Sequence, residues 1–110
     1  MLLGFFDLKD GVEEADFHAA YAAFGDHMID QGLATGWASA RRAPDAGYDV
    51  EPPKQSLMME IRFASPEQAR AAWDYVEANQ PPLRQLHSAV LAKVANAHFA
   101  LYDVKGEDRA

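Results

Sequence analysis

Apolar and polar residues alternate along residues 55–64, which is the pattern of a β-strand with two different faces. Four apolar side chains share one face: Leu57, Met59, Ile61 and Phe63. The opposite face carries three residues: Met58, Glu60 and Arg62. The first face is predicted to meet the core. The second face has two opposite charges in an otherwise apolar strand, so we expect it to line a ligand cavity or a subunit interface.

Three further strands are predicted over residues 2–8, 35–42 and 95–104, which are rich in aromatic and aliphatic side chains. Residues 44–54 contain three prolines and a glycine, and this composition indicates a long loop. Residues 105–110 form a polar tail. The remaining residues, 1–104, are predicted to form a single domain.

Helical spacing of apolar side chains predicts three helices. The first begins at a capping box of Asp10 and Glu13 and ends before Gly32. Its apolar stripe consists of Phe17, Tyr21, Phe24 and Met28. The second begins at Ser65, and four residues form its buried stripe: Ala69, Ala72, Trp73 and Val76. A short third helix is expected over residues 83–93.

The order of these elements is that of the ferredoxin-like βαββαβ fold, an α+β architecture. The helices then cover one face of a four-stranded antiparallel sheet, and the other face stays open. An open face that carries Trp37, Met58 and Phe5 is an exposed apolar patch. We therefore predict a homodimer in which two open faces pack together and enclose a space between the sheets.

Three short segments carry a resemblance to known proteins: residues 6–9 with the Gly11-Val12 pair that follows, residues 86–90, and residues 99–102. With the element order and the chain length, they are similar to the dimeric α/β-barrel superfamily. That superfamily includes antibiotic-biosynthesis-type monooxygenases, stress-responsive A/B-barrel proteins and EthD-like proteins. The segments resemble most a small bacterial family of uncharacterised proteins of about this length, which implies the dimeric barrel but no particular activity.

Haem-degrading members of the superfamily use a set of Asn, Trp and His residues. The chain contains Trp37, Trp73 and His87, but these residues do not match that set motif by motif. Trp37 lies on a predicted strand and Trp73 belongs to a predicted core stripe. No cofactor is therefore predicted.

Charge and composition exclude several classes of partner. The 110 residues include 17 acidic and 10 basic side chains, a net charge of -7, so neither nucleic acid nor an anionic membrane surface is an expected partner. There is no cysteine, which removes disulfides, thiolate nucleophiles and Cys-based metal sites and suits a cytoplasmic protein. No apolar run approaches the ~20 residues that span a bilayer, and the short apolar start does not resemble a signal peptide.

Glu60 and Arg62 are the first candidates for chemistry, because they lie about 6.5 Å apart along one face of a strand. In a closed apolar cavity, the Glu60 carboxylate has a raised proton affinity and is a candidate base, while Arg62 stabilises an anion. The alternative interpretation is structural. In that case the two charges belong to a cross-strand ion pair at the dimer interface, with Arg41 as a further partner.

Histidines and an aromatic residue add further candidates. If Phe99 and Leu101 are core residues, His98 and Tyr102 face the open side and form a possible proton shuttle. A polar position at the interface rim explains them equally well, and so does the reverse orientation of the strand. His87 lies on an apolar flank of the third helix, where a structural histidine is the commoner case. His18 and His27 fall on opposite helix faces, so no metal site is predicted.

Two functions are consistent with these patterns. The first is binding of a small apolar or aromatic organic molecule in a cavity at the open sheet face. The second is a cofactor-independent monooxygenase or isomerase that acts on an enolisable aromatic or polyketide-like substrate, with Glu60 or His98 as base. Eight residues are predicted to contact the ligand: Trp37, Arg41, Met58, Glu60, Arg62, His87, His98 and Tyr102.

Overall fold

The computed structural model describes residues 1–43 and 47–108 and confirms the predicted order of elements. Residues 44–46 of the predicted loop and residues 109–110 of the tail lie outside the described residues. The elements are β1 (Leu2–Leu8), α1 (Glu14–Asp30), β2 (Gly36–Arg41), β3 (Leu57–Arg62), α2 (Pro66–Ala78), α3 (Leu83–Leu91) and β4 (Val94–Leu101). The strands form one antiparallel sheet in the order β2-β3-β1-β4, which is the predicted ferredoxin-like topology.

The start of α1 differs from the prediction. Glu13 is the N-cap residue and makes no side-chain capping hydrogen bond, so the Asp10–Glu13 capping box is absent. Residues 9–12 instead form a turn in which the Val12 N–H donates to the Lys9 carbonyl, and Gly11 adopts a φ of 82°. That positive φ is outside the helical region, so the chain turns here and the helix begins later.

The start of α2 follows the prediction. The Ser65 hydroxyl accepts a hydrogen bond from the Gln68 N–H, and Pro66 occupies the first turn. The Gln68 amide also fixes the helix to its surroundings, because its oxygen accepts from the Ala64 N–H and its nitrogen donates to the Gly32 carbonyl. These bonds attach the first turn of α2 to the segment that follows α1.

The core lies between the helices and one face of the sheet. The predicted α1 stripe is buried, and so are Leu57, Met59 and Ile61 on the predicted core face of β3. The α2 stripe is only partly buried. Ala72 is covered, whereas Trp73 is 60% exposed, so the prediction that Trp73 belongs to the core is wrong. The reason is that Trp73 borders a cavity instead of packing against the sheet.

Strand register shows which side chains share the open face of the sheet. Leu3 pairs with Glu60 on one side and Ala100 on the other. Phe5 pairs with Met58 and His98 in the next row. Directly paired residues in antiparallel strands point to the same face, so these six side chains lie together.

Trp37 lies on the helix side of the sheet, which corrects its predicted place on the open face. It pairs in register with the buried Ile61, and its indole nitrogen donates to the Asp26 carboxylate of α1 at 2.7 Å. The ring also meets Tyr21 edge-on, with centroids 5.8 Å apart. A Cβ on Gly25 would lie 2.6 Å from the indole, so the missing side chain at this position permits α1 to approach β2 closely.

Candidate functional site

A cavity of about 1110 Å³ lies between the sheet and the helices, on the opposite side of the sheet from the open face. Its walls are mostly apolar and include Phe17, Phe24, Phe63 and Val90. Four of its large aromatic or aliphatic lining residues remain more than half exposed: Trp73 at 60%, Leu101 at 58%, and Phe99 and Tyr102 at 52% each. The cavity therefore reaches solvent where these residues of α2, β4 and the segment after β4 lie.

The position of Phe99 depends on Gly4. Register places both residues on the helix side of the sheet, directly opposite each other on β4 and β1. A Cβ on Gly4 would lie 2.5 Å from the Phe99 ring and 3.1 Å from Met59. Because that space is free, the Phe99 ring lies over the β1 backbone and forms part of the cavity floor.

His87 is the imidazole in this cavity. It lies on α3, with its ring 5.6 Å from that of Phe24, and burial lowers its pKa below the ordinary value of 6.5. A histidine with a lowered pKa is neutral at pH 7, so one ring nitrogen accepts a hydrogen bond or a proton. His87 follows Leu83 by one helical turn, and this spacing turns it toward the core side of α3.

Tyr21 also lines the cavity, but its hydroxyl is already bonded. It donates to the Glu60 carbonyl at 2.9 Å, which joins α1 to β3. Burial, and secondarily the nearby Glu60 charge, raise the Tyr21 pKa far above its ordinary value. The phenol therefore stays protonated, and its place in the core follows the predicted α1 stripe.

The half-buried position of His87 makes folding stability depend on pH. The unfolded chain takes up a proton on His87 near pH 6.5, whereas the folded chain takes it up only at lower pH. Stability is therefore expected to fall as pH drops from 6.5 through the lowered pKa, and to be insensitive to this group above about pH 7. Urea unfolding of His87→Gln between pH 5 and 7.5 should show a flatter profile than the parent chain. The exposed-site variant His98→Gln is the control, and an unchanged slope in His87→Gln would contradict the assignment.

Glu60 and Arg62 form an ion pair with each other on the open face. The Arg62 guanidinium donates to the Glu60 carboxylate along the same strand and passes over Gly36 of β2. Arg41 lies elsewhere, because it faces the helix side and pairs with Glu14 of α1 at 2.7 Å. Glu60 and Arg62 are therefore paired, but within one strand and not across strands as predicted, and Arg41 is not a partner. The place of this pair at a dimer interface stays a prediction.

His98 does not join this pair. Phe99 and Leu101 face the helices, so His98 faces the open side, where it is exposed. Its position is two strands across the sheet from Glu60 and two residues further along the strand. The backbones of the two residues are therefore separated by roughly 12 Å. Tyr102 follows the end of β4 and is also exposed. Within one chain, then, Glu60, Arg62 and His98 do not converge on a closed pocket.

The eight predicted ligand contacts are divided between the two faces of the sheet. Of these eight, His87 and Tyr102 border the cavity. The sequence pattern assigned other cavity residues to the core or gave them no role, and these include Phe63, Arg70, Trp73, Phe99 and Leu101. The one signal in the sequence for these residues is Trp73, because a large aromatic residue on a mostly polar helix is compatible with a site that other elements do not fully cover.

The described residues contain neither a membrane-spanning helix nor a cluster of metal ligands. No helix in residues 1–43 and 47–108 is both long and apolar enough to cross a membrane. In the same part of the chain, no three His, Asp or Glu side chains lie close enough together to hold a metal ion.

Sequence comparison decides the family. The model of DUF6614, a family of unknown function, matches residues 2–108. The chain belongs to DUF6614. No curated protein matches it in sequence.

Solved structures confirm the ferredoxin-like fold. The Arabidopsis thaliana protein At3g17210 matches with a TM-score of 0.71 at 11% identity, over 98% of this chain and 97% of that one. SnoaB, a cofactor-independent oxygenase from Streptomyces nogalater, matches with a TM-score of 0.69 at 13% identity, over 96% and 92%. A dimeric ferredoxin-like protein of unknown function from Thermobifida fusca matches with a TM-score of 0.61 at 13% identity, over 94% and 88%.

Proposed function

We propose that the protein binds a small apolar or aromatic organic molecule in the cavity between the helices and the sheet. The observation that carries this proposal is the cavity itself, whose exposed aromatic and aliphatic walls lack a covering element in the described residues. Covering such walls with an apolar ligand is favourable by about 25 cal/mol per Å² of apolar surface. The location differs from the predicted one at the open sheet face, because the open face has its polar groups paired or exposed.

The size and chemistry of the cavity suit a ligand with several rings or a long acyl chain. A volume of about 1110 Å³ lies just above the range for ligand pockets, which is roughly 300–1,000 Å³. Such pockets are typically apolar with a few polar groups that orient the ligand. His87 is placed to supply one such group, because its neutral imidazole hydrogen-bonds a hydroxyl or carbonyl group.

Blocking the cavity should abolish binding. The probe is N-phenyl-1-naphthylamine, a neutral naphthalene whose fluorescence rises in apolar surroundings. Ala69 lines the cavity, whereas Ala71 lies on the exposed side of the same helix. We expect Ala69→Trp to weaken probe binding by at least about tenfold, since the indole fills ligand space. Ala71→Trp should bind like the parent chain, and equal affinity in the two variants would contradict the proposal.

A second candidate function is proton abstraction by His87. The lowered pKa of this residue keeps it neutral near pH 7, as a general base requires, and it is positioned within an apolar cavity. The fold is shared with the cofactor-independent oxygenase SnoaB, although 13% identity carries no residue roles across. Abstraction of a proton next to a carbonyl is the first step of either an oxygenation or an isomerisation of an enolisable substrate. Glu60 and His98 have less support as bases, because they are paired or exposed.

Deuterium exchange tests this second candidate without knowledge of the natural substrate. The probe is 2-tetralone, an aromatic ketone with acidic protons beside its carbonyl, followed by proton NMR in D2O. If His87 is a base, the parent chain should accelerate exchange and His87→Gln should lose about 10²-fold or more of that acceleration. Glu60→Gln should keep the parent rate. Equal rates in the parent and His87→Gln would remove His87 as the base.

We also propose that two chains pair through their open sheet faces as a homodimer. Leu3, Phe5 and Met58 lie together on this face, each only partly buried in the single chain. The charges of Glu60 and Arg62 beside them offset each other, so neither is left unpaired against a second copy. The Thermobifida fusca neighbour is described as dimeric, which supports the same assembly in this chain.

A further inference from the structure

Charge within the cavity is confined to one end. Three charged side chains line it in the described residues: Arg70, Asp103 and Lys105. Arg70 belongs to the first half of α2, which starts soon after β3, while Asp103 and Lys105 follow the end of β4. Since β3 and β4 both run antiparallel to β1, they end on the same side of the sheet. All three charges therefore come from segments at that end.

The rest of the cavity is long and apolar. Its lining includes Val94 at the start of β4 and Leu101 at the end of that strand, a distance of roughly 20 Å. Between them the polar side chains are the neutral His87 and Tyr21, and the Tyr21 hydroxyl is bonded to the main chain. The cavity therefore has room for an elongated apolar ligand along β4, with one end of the ligand at the charged end of the cavity.

Among the side chains that line the charged end, the cations Arg70 and Lys105 outnumber the single carboxylate of Asp103, although the whole chain carries a net charge of -7. Arg70 pairs with Asp74 at 3.5 Å, and both side chains are more than half exposed. An exposed pair of this kind contributes only about 0–1 kcal/mol, so the guanidinium can exchange this partner for a ligand anion at little cost.

We infer that the cavity binds organic anions: molecules with an aromatic or aliphatic body and a single carboxylate or comparable anionic group at one end. The body lies along the apolar interior, and the anionic group lies between Arg70 and Lys105. Arginine suits this role because its planar guanidinium forms two parallel hydrogen bonds to a carboxylate. This inference rests on the proposed function and adds the charge and the orientation of the ligand.

Two probes that share the same aromatic group, one anionic and one neutral, distinguish recognition of the anion from apolar contact. They are 1-anilinonaphthalene-8-sulfonate and its neutral counterpart N-phenyl-1-naphthylamine, titrated by fluorescence against the full chain. Arg70→Gln/Lys105→Gln should weaken the sulfonate probe about threefold to tenfold and leave the neutral probe unchanged. Lys9→Gln/Lys54→Gln removes two exposed cations that do not line the cavity and should affect neither probe. Asp103→Asn should strengthen the sulfonate probe alone.

The outcomes separate this inference from the function on which it rests. If both probes bind and the sulfonate loses no more affinity in Arg70→Gln/Lys105→Gln than in the Lys9/Lys54 control, anion recognition is wrong and the apolar site stands. If neither probe binds the parent chain, or if Ala69→Trp binds both as well as the parent does, the proposed function itself fails. Salt gives an independent readout, because only the sulfonate affinity should fall between about 50 mM and 0.5 M NaCl.

Discussion

We expect Met58→Glu to convert the proposed homodimer into a monomer. Met58 lies on the open face directly beside Phe5 and next to Ala40 of β2, so a second sheet packed there covers it. Twofold symmetry buries the new carboxylate twice in each dimer. An unpaired buried charge costs several kcal/mol, and Glu60 two residues away adds repulsion on the same face. The dimer should therefore weaken by at least about 100-fold, which light scattering after size exclusion detects at micromolar protein.

Two controls separate this effect from general destabilisation or added charge. Gln85→Glu places the same charge on the exposed surface of α3 and should leave the dimer intact. Met58→Leu keeps an apolar side chain of similar volume and should also stay dimeric. The monomeric Met58→Glu chain should retain helical and strand circular dichroism, because the core lies on the other side of the sheet. A parent chain that is monomeric at micromolar concentration, or a dimeric Met58→Glu, would refute pairing through this face.

Local periodicity was sufficient to predict the fold. The alternation in β3 separated a buried face from an open one, and the structure places Met59 on the first and Met58 on the second. The N-cap at Ser65 and the stop at Gly32 were readable because each depends on a few neighbouring residues. The α1 start was predicted too early for a related reason. The Asp10–Glu13 spacing matched a capping box, but the turn at Gly11 took precedence over it.

The placement of Trp37 shows where alternation is insufficient. Its alternation with Ser39 was correct, since both face the helices: Ser39 bonds His18 at 2.7 Å and Trp37 bonds Asp26. Which of the two faces meets the helices depends on partners in α1 that are distant in sequence. A tryptophan with one polar atom suits an interface or a helix contact equally well. The residues of β2 alone therefore did not determine which face of this strand packs against the helices.

The cavity was also beyond prediction from pattern. It exists because α2 is held at its first turn by Gln68 and does not bring Trp73 onto the sheet, while Gly4 leaves space for the Phe99 ring. Both features depend on how far apart two elements lie. The periodicity of a single strand or helix gives no information on that distance. In the sequence, Trp73 has the spacing of a core stripe, but in the structure it lies in the wall of the cavity.

Phe17 and Phe99 both line the cavity, yet their truncation should have opposite consequences. Phe17 is 1% exposed and packs against Phe6, with ring centroids 4.7 Å apart, and against Tyr21 at 5.9 Å. We expect Phe17→Ala to lower the free energy of unfolding by about 3–5 kcal/mol. That is a large share of the roughly 5–15 kcal/mol that stabilises a domain. Phe99 is 52% exposed, so Phe99→Ala should cost about 1 kcal/mol or less.

Ligand affinity should follow the reverse order. An apolar ligand covers the exposed Phe99 ring, and losing that contact should weaken N-phenyl-1-naphthylamine binding by about tenfold. Phe17 packs against Phe6 and Tyr21 without any ligand. Phe17→Ala should therefore change probe affinity less than Phe99→Ala under conditions where both variants are folded. Urea unfolding and probe titration on the same samples measure the two quantities. If Phe99→Ala proved the less stable variant while binding the probe like the parent, Phe99 would be a core residue and the ligand site would lie elsewhere.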